Sequence, residues 1–237
     1  MKRKLIKSDL WIKQELGHAF NLDTVLLQNF VELPYRIKHV IDVGTGNGAI
    51  ALYLSEKTKA HITAIEIQEN RYKQALENVK LNGLCDQISV VYDDYLKTNY
   101  KDIDAIICNP PFFKVKEASR LNQDPSIASA RHEIHMTLTD LIHKVGSQLK
   151  YGGKFFMIHR PDRLFEILKL CDQHDLIIKR MQFVHPYINK APNHVLFECV
   201  KKGGLQTKIE PPIILYKEKH QFTEQAIKIF GGDIHVT

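Results

Sequence analysis

The fold is decided by one stretch of sequence, Val40-Ile-Asp-Val-Gly-Thr-Gly-Asn-Gly-Ala-Ile-Ala-Leu52. It begins as an apolar strand, passes through three alternating glycines and continues as an apolar segment of helical character. Glycine lets the backbone approach a nucleotide closely at the carboxyl end of a strand. Glu66 ends the next apolar run, about 20 residues on, where an acid accepts ribose hydroxyls. The stretch therefore predicts a nucleotide-binding turn in an α/β fold.

Strand and helix patterns alternate after this turn. The predicted strands cover residues 39–43, 61–66, 87–92, 103–108, 154–159, 176–184 and 194–200, and the predicted helices cover 49–57, 70–81, 138–149 and 162–174. This alternation predicts a mostly parallel sheet of seven strands with helices on both faces. Only residues 186–192 separate the last two strands, which is too short for a crossover helix. We therefore expect an antiparallel hairpin, with one antiparallel strand at the sheet edge.

The chain divides by pattern into three segments. Residues 1–38 form an N-terminal cover with an amphipathic helix capped by Asp23 or Thr24, residues 39–202 form the core, and residues 203–237 extend the same domain. Residues 114–129 lack a sustained period, which predicts a mobile loop. No signal peptide and no run of 18 apolar residues is present, so we expect a cytoplasmic protein that does not engage a membrane.

The charge balance points weakly to a polyanionic partner. Lysine and arginine total 33 against 27 acidic residues, which gives a net charge of +6. Such an excess favours nucleic acid but also serves solubility alone. Candidate phosphate contacts are Arg131, Arg160, Arg163, Lys190, Lys201 and Lys202, and Tyr187 and Trp11 are candidates for stacking on a base.

Asp42 restricts which ligand the glycine turn is expected to bind. A carboxylate beside a pyrophosphate would repel it, whereas beside a cationic amino acid it would offset the charge, so Asp42 argues against NAD. The segment resembles the D/E-x-G-x-G-x-G loop of methyltransferases that depend on S-adenosylmethionine. That resemblance implies this cofactor and a Rossmann-like class I methyltransferase fold. It also implies a cofactor site made of Asp42, Gly44, Thr45, Gly46, Asn47, Gly48, Glu66, Ile67, Asp94, Tyr95 and Asn109, with Asp93 as the alternative to Asp94 on the adenine amino group.

The tetrapeptide Asn109-Pro110-Pro111-Phe112 follows the fourth predicted strand, which faces the same pocket. Asn109 offers a side-chain carbonyl, Pro110 offers a main-chain carbonyl without a competing N–H, and Phe112 offers a flat apolar face. Two acceptors and a stacking ring suit a planar group that carries an NH₂. The motif resembles the N/D-P-P-Y/F/W motif of amino-group methyltransferases, which implies that Asn109, Pro110, Pro111 and Phe112 form the catalytic site.

Further segments resemble bacterial tRNA adenine methyltransferases that act beside the anticodon of a valine tRNA. These segments are His18-Ala-Phe20-Asn-Leu-Asp23-Thr-Val-Leu-Leu, Ala191-Pro-Asn-His-Val-Leu-Phe-Glu-Cys-Val-Lys201 and Glu210-Pro-Pro-Ile-Ile-Leu-Tyr216. The resemblance implies an enzyme that methylates the adenine amino group in RNA. Separately, we expect a monomer that binds no metal. Three alternatives stay open: a protein-glutamine methyltransferase of the release-factor type, an rRNA adenine or guanine methyltransferase, and a non-catalytic RNA-binding module.

Overall fold

A computed structural model describes residues 2–14, 22–110, 136–219 and 221–231. The strands are β1 (Lys2–Lys4), β2 (Trp11–Lys13), β3 (His39–Val43), β4 (His61–Glu66), β5 (Ile88–Tyr92), β6 (Ile103–Cys108), β7 (Leu149–His159), β8 (Leu176–His185), β9 (His194–Lys201), β10 (Lys208–Ile209), β11 (Ile213–Ile214), β12 (Tyr216–Glu218) and β13 (Gln221–Phe222). The helices are α1 (Leu22–Phe30), α2 (Ala49–Lys57), α3 (Glu69–Leu81), α4 (Leu138–Gln148), α5 (Leu164–Gln173) and α6 (Glu224–Phe230). The predicted loop at 114–129 lies outside the described residues.

The main sheet has the order β10, β8, β9, β7, β6, β3, β4, β5, and β11 also pairs with β8. Strands β3 to β7 run parallel, and β9 runs antiparallel to both β7 and β8. The predicted parallel sheet and the antiparallel pairing of the last two strands are confirmed. The predicted count of seven strands and the edge position of the reversed strand are wrong.

Burial explains why β9 is an interior strand. Its residues from Val195 to Cys199 are buried without interruption, so both of its faces and both of its edges are covered. Strand β8 instead mixes buried with half-buried residues, and its outer edge is extended by the two short strands β10 and β11. Continuous burial marks a strand that is covered on both faces, whereas mixed burial marks a strand nearer the margin of the sheet.

Alternate residues of the central strands build two hydrophobic clusters, one on each face of the sheet. Val40, Ala105 and Phe156 contribute to the cluster that α1, α2 and α6 cover, which also contains residues of the N-terminal and C-terminal segments. Ile41 and Ile106 contribute to the opposite cluster, which α4 and α5 cover. Helices on both faces of the sheet, as predicted, leave its carboxyl edge open for a site.

No helix within the described residues combines the length and the apolar character needed to cross a membrane.

Candidate active site

The glycine turn follows β3 at the carboxyl edge of the sheet. Gly44, Gly46 and Gly48 have φ of +66°, +59° and +86°, a left-handed backbone that strains any residue with a side chain. Apart from its two chain neighbours, no atom of the described residues lies within 4 Å of the position that a Cβ on Gly44 would occupy, whereas one on Gly48 would lie 3.4 Å from Ala75 of α3. Gly44 therefore presents an open backbone surface, and Gly48 permits close packing of the turn against α3.

Asp42 lies beneath this turn and is fully buried. Its Oδ2 atom accepts hydrogen bonds from the Thr45 hydroxyl at 2.6 Å and from the Ala51 backbone N–H at 3.2 Å. Burial raises the pKa of Asp42 to about 7. Within the described residues, its Oδ1 atom has no hydrogen-bond partner. Asp42 thus supports the turn from inside, and a direct influence on a bound ligand remains a prediction.

Glu66 ends β4, and its side chain is also buried. Oε2 accepts the Gly46 N–H and Oε1 accepts the Gln68 N–H, both at 2.9 Å. These bonds fix the carboxylate beside the turn, and each oxygen keeps a second lone pair for a hydroxyl donor. Ile67, the next residue, is half-buried.

The acids after β5 reach the same edge because Tyr92 pairs with Glu66 in the register of β4 and β5. The Asp94 side chain is 22% exposed, and its Oδ1 atom accepts the Leu96 N–H at 3.0 Å. Asp93 is exposed and accepts the Asp94 N–H at 2.7 Å. Both acids remain open to a ligand. Tyr95, in contrast, is buried and points into the core, and burial raises the pKa of its hydroxyl.

Asn109 and Pro110 follow β6, which lies directly beside β3 in the sheet. Val43 pairs with Cys108, so Gly44 and Asn109 leave neighbouring strands side by side. Asn109 is half-buried, and Pro110 is buried. The Asn109 Nδ2 atom donates a long hydrogen bond of 3.5 Å to the Thr24 hydroxyl of α1, which turns Oδ1 the other way. Pro111 and Phe112 lie outside the described residues.

Sequence reasoning missed three residues that hold this edge together. Thr24 contacts Asn109, and the neighbouring Asp23 lies 3.1 Å from Nε2 of His194 at the start of β9. Asn78, fully buried on α3, donates a hydrogen bond to the Asn47 carbonyl of the turn at 2.9 Å. A polar residue between the buried Ala75 and Val79 was the available signal for Asn78, because a buried amide requires partners. Asp23 and Thr24 were visible in the segment that resembles the tRNA adenine methyltransferases and were expected as helix caps. They lie instead inside the first turn of α1, which begins at Leu22, and no local pattern indicated their partners.

The structure places the candidate RNA-contacting residues in different parts of the molecule. Arg160 lies exposed at the carboxyl end of β7, close to the site. Arg163 is nearly buried and paired with Glu166 at 2.7 Å, which argues against a phosphate contact there. Lys201 and Lys202 follow the reversed strand β9 to the opposite edge of the sheet. Tyr187 packs on Tyr216 with 5.7 Å between ring centroids, and Arg131 lies outside the described residues.

Of the remaining candidates, Lys190 is exposed in the turn before β9. Trp11 is 39% exposed and lies under the Lys2 ammonium, which is 4.6 Å from its ring.

Comparison with known proteins agrees with this architecture. The model of the methyltransferase small domain family matches residues 21–183. The tRNA1(Val) (adenine(37)-N6)-methyltransferase of Bacteroides thetaiotaomicron is 30% identical over 191 residues, 78% of this chain and 78% of that protein. The protein of the same description from Cytophaga hutchinsonii is 28% identical over 193 residues, 80% of this chain and 79% of its own length.

Solved structures confirm the class I methyltransferase fold. A predicted O-methyltransferase from Agrobacterium tumefaciens superposes with a TM-score of 0.66 at 19% identity, covering 88% of this chain and 95% of that chain. The ribosomal protein L11 methylase of Lactobacillus delbrueckii subsp. bulgaricus gives a TM-score of 0.54 at 19% identity, covering 76% and 77%.

Proposed function

Because the chain belongs to the methyltransferase small domain family, we propose that it transfers the methyl group of S-adenosylmethionine to the exocyclic amino group of an adenine in RNA. The observation that carries this proposal is the position of Asn109 and Pro110 beside the open glycine turn. The proposed acceptor is an adenine of a tRNA, because the relatives are named tRNA1(Val) (adenine(37)-N6)-methyltransferases, and its proposed position next to the anticodon follows from the sequence resemblance.

The residues around the turn suit the cofactor. Gly44 leaves room for a ligand against the backbone, and Glu66 presents a fixed carboxylate to ribose hydroxyls. Asp94 offers an accessible carboxylate to an adenine amino group. S-adenosylmethionine would supply a methyl group on a sulfonium; in-line attack by a neutral amine would break the carbon–sulfur bond, release S-adenosylhomocysteine and pass one amine proton to solvent.

Asn109 and Pro110 hold that amine. The Asn109 Oδ1 atom and the Pro110 carbonyl accept its two hydrogens, which draws the nitrogen lone pair out of conjugation with the ring. The two carbonyl dipoles also stabilise the positive charge that develops on the nitrogen. Thr24 acts as a positioning residue, because its contact with Nδ2 fixes which face of the amide points to the amine. Phe112 stacks on the base in this proposal.

The test is incubation of the protein with labelled cofactor and unmodified total tRNA, followed by analysis of the nucleosides. We expect N6-methyladenosine, and we expect Asn109→Ala to abolish transfer while cofactor affinity stays within about twofold. Asn99→Ala, a change at an exposed asparagine, is the matched control and keeps full activity. Equal loss of cofactor affinity and transfer in Asn109→Ala would contradict the amine-binding role.

The same assay separates the rival functions. Label on a release-factor glutamine instead of RNA would identify a protein methyltransferase. Label on guanine, or on rRNA but not tRNA, would change the acceptor. RNA binding without any turnover would indicate a binding module. We also propose that the protein acts as a monomer and that it acts in the cytoplasm, where tRNA is found.

A further inference from the structure

A second cleft lies at the same edge of the sheet as the glycine turn. It has a volume of about 390 Å³ and is lined by Arg160, Pro161, Asp162, Pro192, Asn193 and His194. This volume falls within the range of about 300–1,000 Å³ that is typical of small-molecule sites. Its walls come from the turn after β7 and the start of β9, two strands whose ends meet because His159 pairs with Val195.

The cleft is connected to the Asn109 motif through the first turn of α1. His194 lines the cleft and contacts Asp23 at 3.1 Å, and the next residue, Thr24, contacts Asn109. A group in the cleft and a base held by Asn109 would therefore lie on either side of the same helical turn. This arrangement suits two neighbouring nucleotides of one chain.

The charges of the cleft favour a ribose and its phosphate over a phosphate alone. The Arg160 side chain is 54% exposed, and its Nε atom lies 3.6 Å from the Asp162 carboxylate, too far for a hydrogen bond. Its guanidinium thus has donors for a phosphate. Asp162, equally exposed, would repel a phosphate at close range but accepts a hydroxyl. Burial lowers the pKa of His194, an effect that the Asp23 carboxylate opposes and Arg160 reinforces, so protonation of this imidazole is disfavoured.

We propose that this cleft binds the ribose and phosphate of the nucleotide next to the methylated adenine, with the phosphate on Arg160 and the ribose 2′-hydroxyl on Asp162. The inference rests on the proposed RNA substrate and adds the means by which the enzyme grips that RNA. The contact between Asp162 and the ribose also gives the enzyme a way to distinguish RNA from DNA, because only RNA carries the 2′-hydroxyl.

The first test measures RNA affinity as a function of salt. Arg160→Gln should weaken binding of an unmodified tRNA transcript by about tenfold and reduce the slope of log affinity against log salt by about one. In the methylation assay its KM for RNA should rise while kcat stays within about twofold. Arg36→Gln is the matched control, because Arg36 is exposed before β3 at the opposite edge and has the same charge. Equal behaviour of the two variants would overturn the proposal.

The second test identifies the ribose contact. A transcript with a single 2′-deoxy nucleotide beside the target adenine, on either side in turn, should raise KM at one of the two positions. Asp162→Ala should raise KM on the all-ribose transcript and remove the difference between the two transcripts. A full deoxy effect that persists in Asp162→Ala would contradict the assignment. The salt-dependence measurement needs no turnover. If the wild type showed no methylation, the proposed function would be wrong, but the salt dependence of RNA binding would still test whether the cleft binds RNA.

Discussion

Replacement of Glu66 by glutamine is the sharpest test of the cofactor site. Glutamine keeps the shape of the side chain, but its amide NH₂ must face either the Gly46 N–H or the Gln68 N–H, both of which donate to Glu66 at 2.9 Å. One hydrogen bond to a charged acceptor is lost, which costs about 1.5–3 kcal/mol. Because Glu66 is only 3% exposed, water cannot easily replace the lost acceptor.

Two measurements test this replacement. Calorimetry with S-adenosylmethionine should give a Kd raised by about 10-fold to 100-fold in Glu66→Gln, because the proposed ribose hydroxyls lose a charged acceptor; this corresponds to about 1.4–2.8 kcal/mol. Urea unfolding without cofactor should show a loss of about 1.5–3 kcal/mol. Glu69→Gln is the control, since Glu69 lies exposed on α3 in a surface pair with Lys73. A Kd for Glu66→Gln within twofold of the Glu69→Gln value would refute the reasoning.

Three further predictions concern positioning, stability and pH. Thr24→Val should lower kcat for methyl transfer by about tenfold with little change in cofactor Kd, whereas Thr24→Ser should restore the rate, because only the hydroxyl orients Asn109. Glu198→Ala should lower the free energy of unfolding in urea by about 1.5–3 kcal/mol, because it removes a buried carboxylate that accepts hydrogen bonds from the half-buried Lys154 and Arg180, of which Arg180 keeps Glu32 and the Phe30 carbonyl as partners. Burial raises the pKa of Asp42 from 3.8 to about 7, so its contribution to stability is present below pH ~4 and is lost as pH rises through about 7. The thermal midpoint should therefore fall more between pH 5 and 8 in the wild type than in Asp42→Asn, and parallel curves would contradict this.

Local pattern was sufficient to predict most of the fold. The strands β3, β4 and β6 have the predicted boundaries, and β5 begins one residue later, at Ile88. Hydrophobic periodicity and turn-forming residues are enough to predict such elements, because both signals depend only on neighbours within a few residues. The position of β9 was predicted wrongly because strand order depends on which edge offers a buried neighbour. The largely apolar sequence of β9, interrupted only by Glu198, contained that information, but the short connection to β8 outweighed it in the prediction.

The site was predictable to the extent that the topology brings strand ends together. Gly44, Glu66, Asp94 and Asn109 all follow parallel strands, so their convergence on one edge follows from the strand assignments. Burial shows that not all residues of these segments have the same role. Asp42 and Tyr95 belong to the same segments, yet both side chains are buried. Asp42 lies within β3, which is covered on both faces, and Tyr95 begins a short 3-10 turn that packs it into the core.

The contacts that orient the site are those that no local pattern contains. Thr24 meets Asn109 across 85 residues of sequence, and Asp23 reaches His194, which begins the strand whose position was mispredicted. Both contacts require the first turn of α1 to lie at the carboxyl edge of the sheet, and this depends on how the N-terminal segment packs on the core. Asp23 and Thr24 belong to a recognisable sequence motif, but a motif does not show which residues they contact. An edge formed by parallel strands can gather catalytic groups by topology alone, whereas the orientation of each group needs a contact from outside the sheet, which here comes from α1.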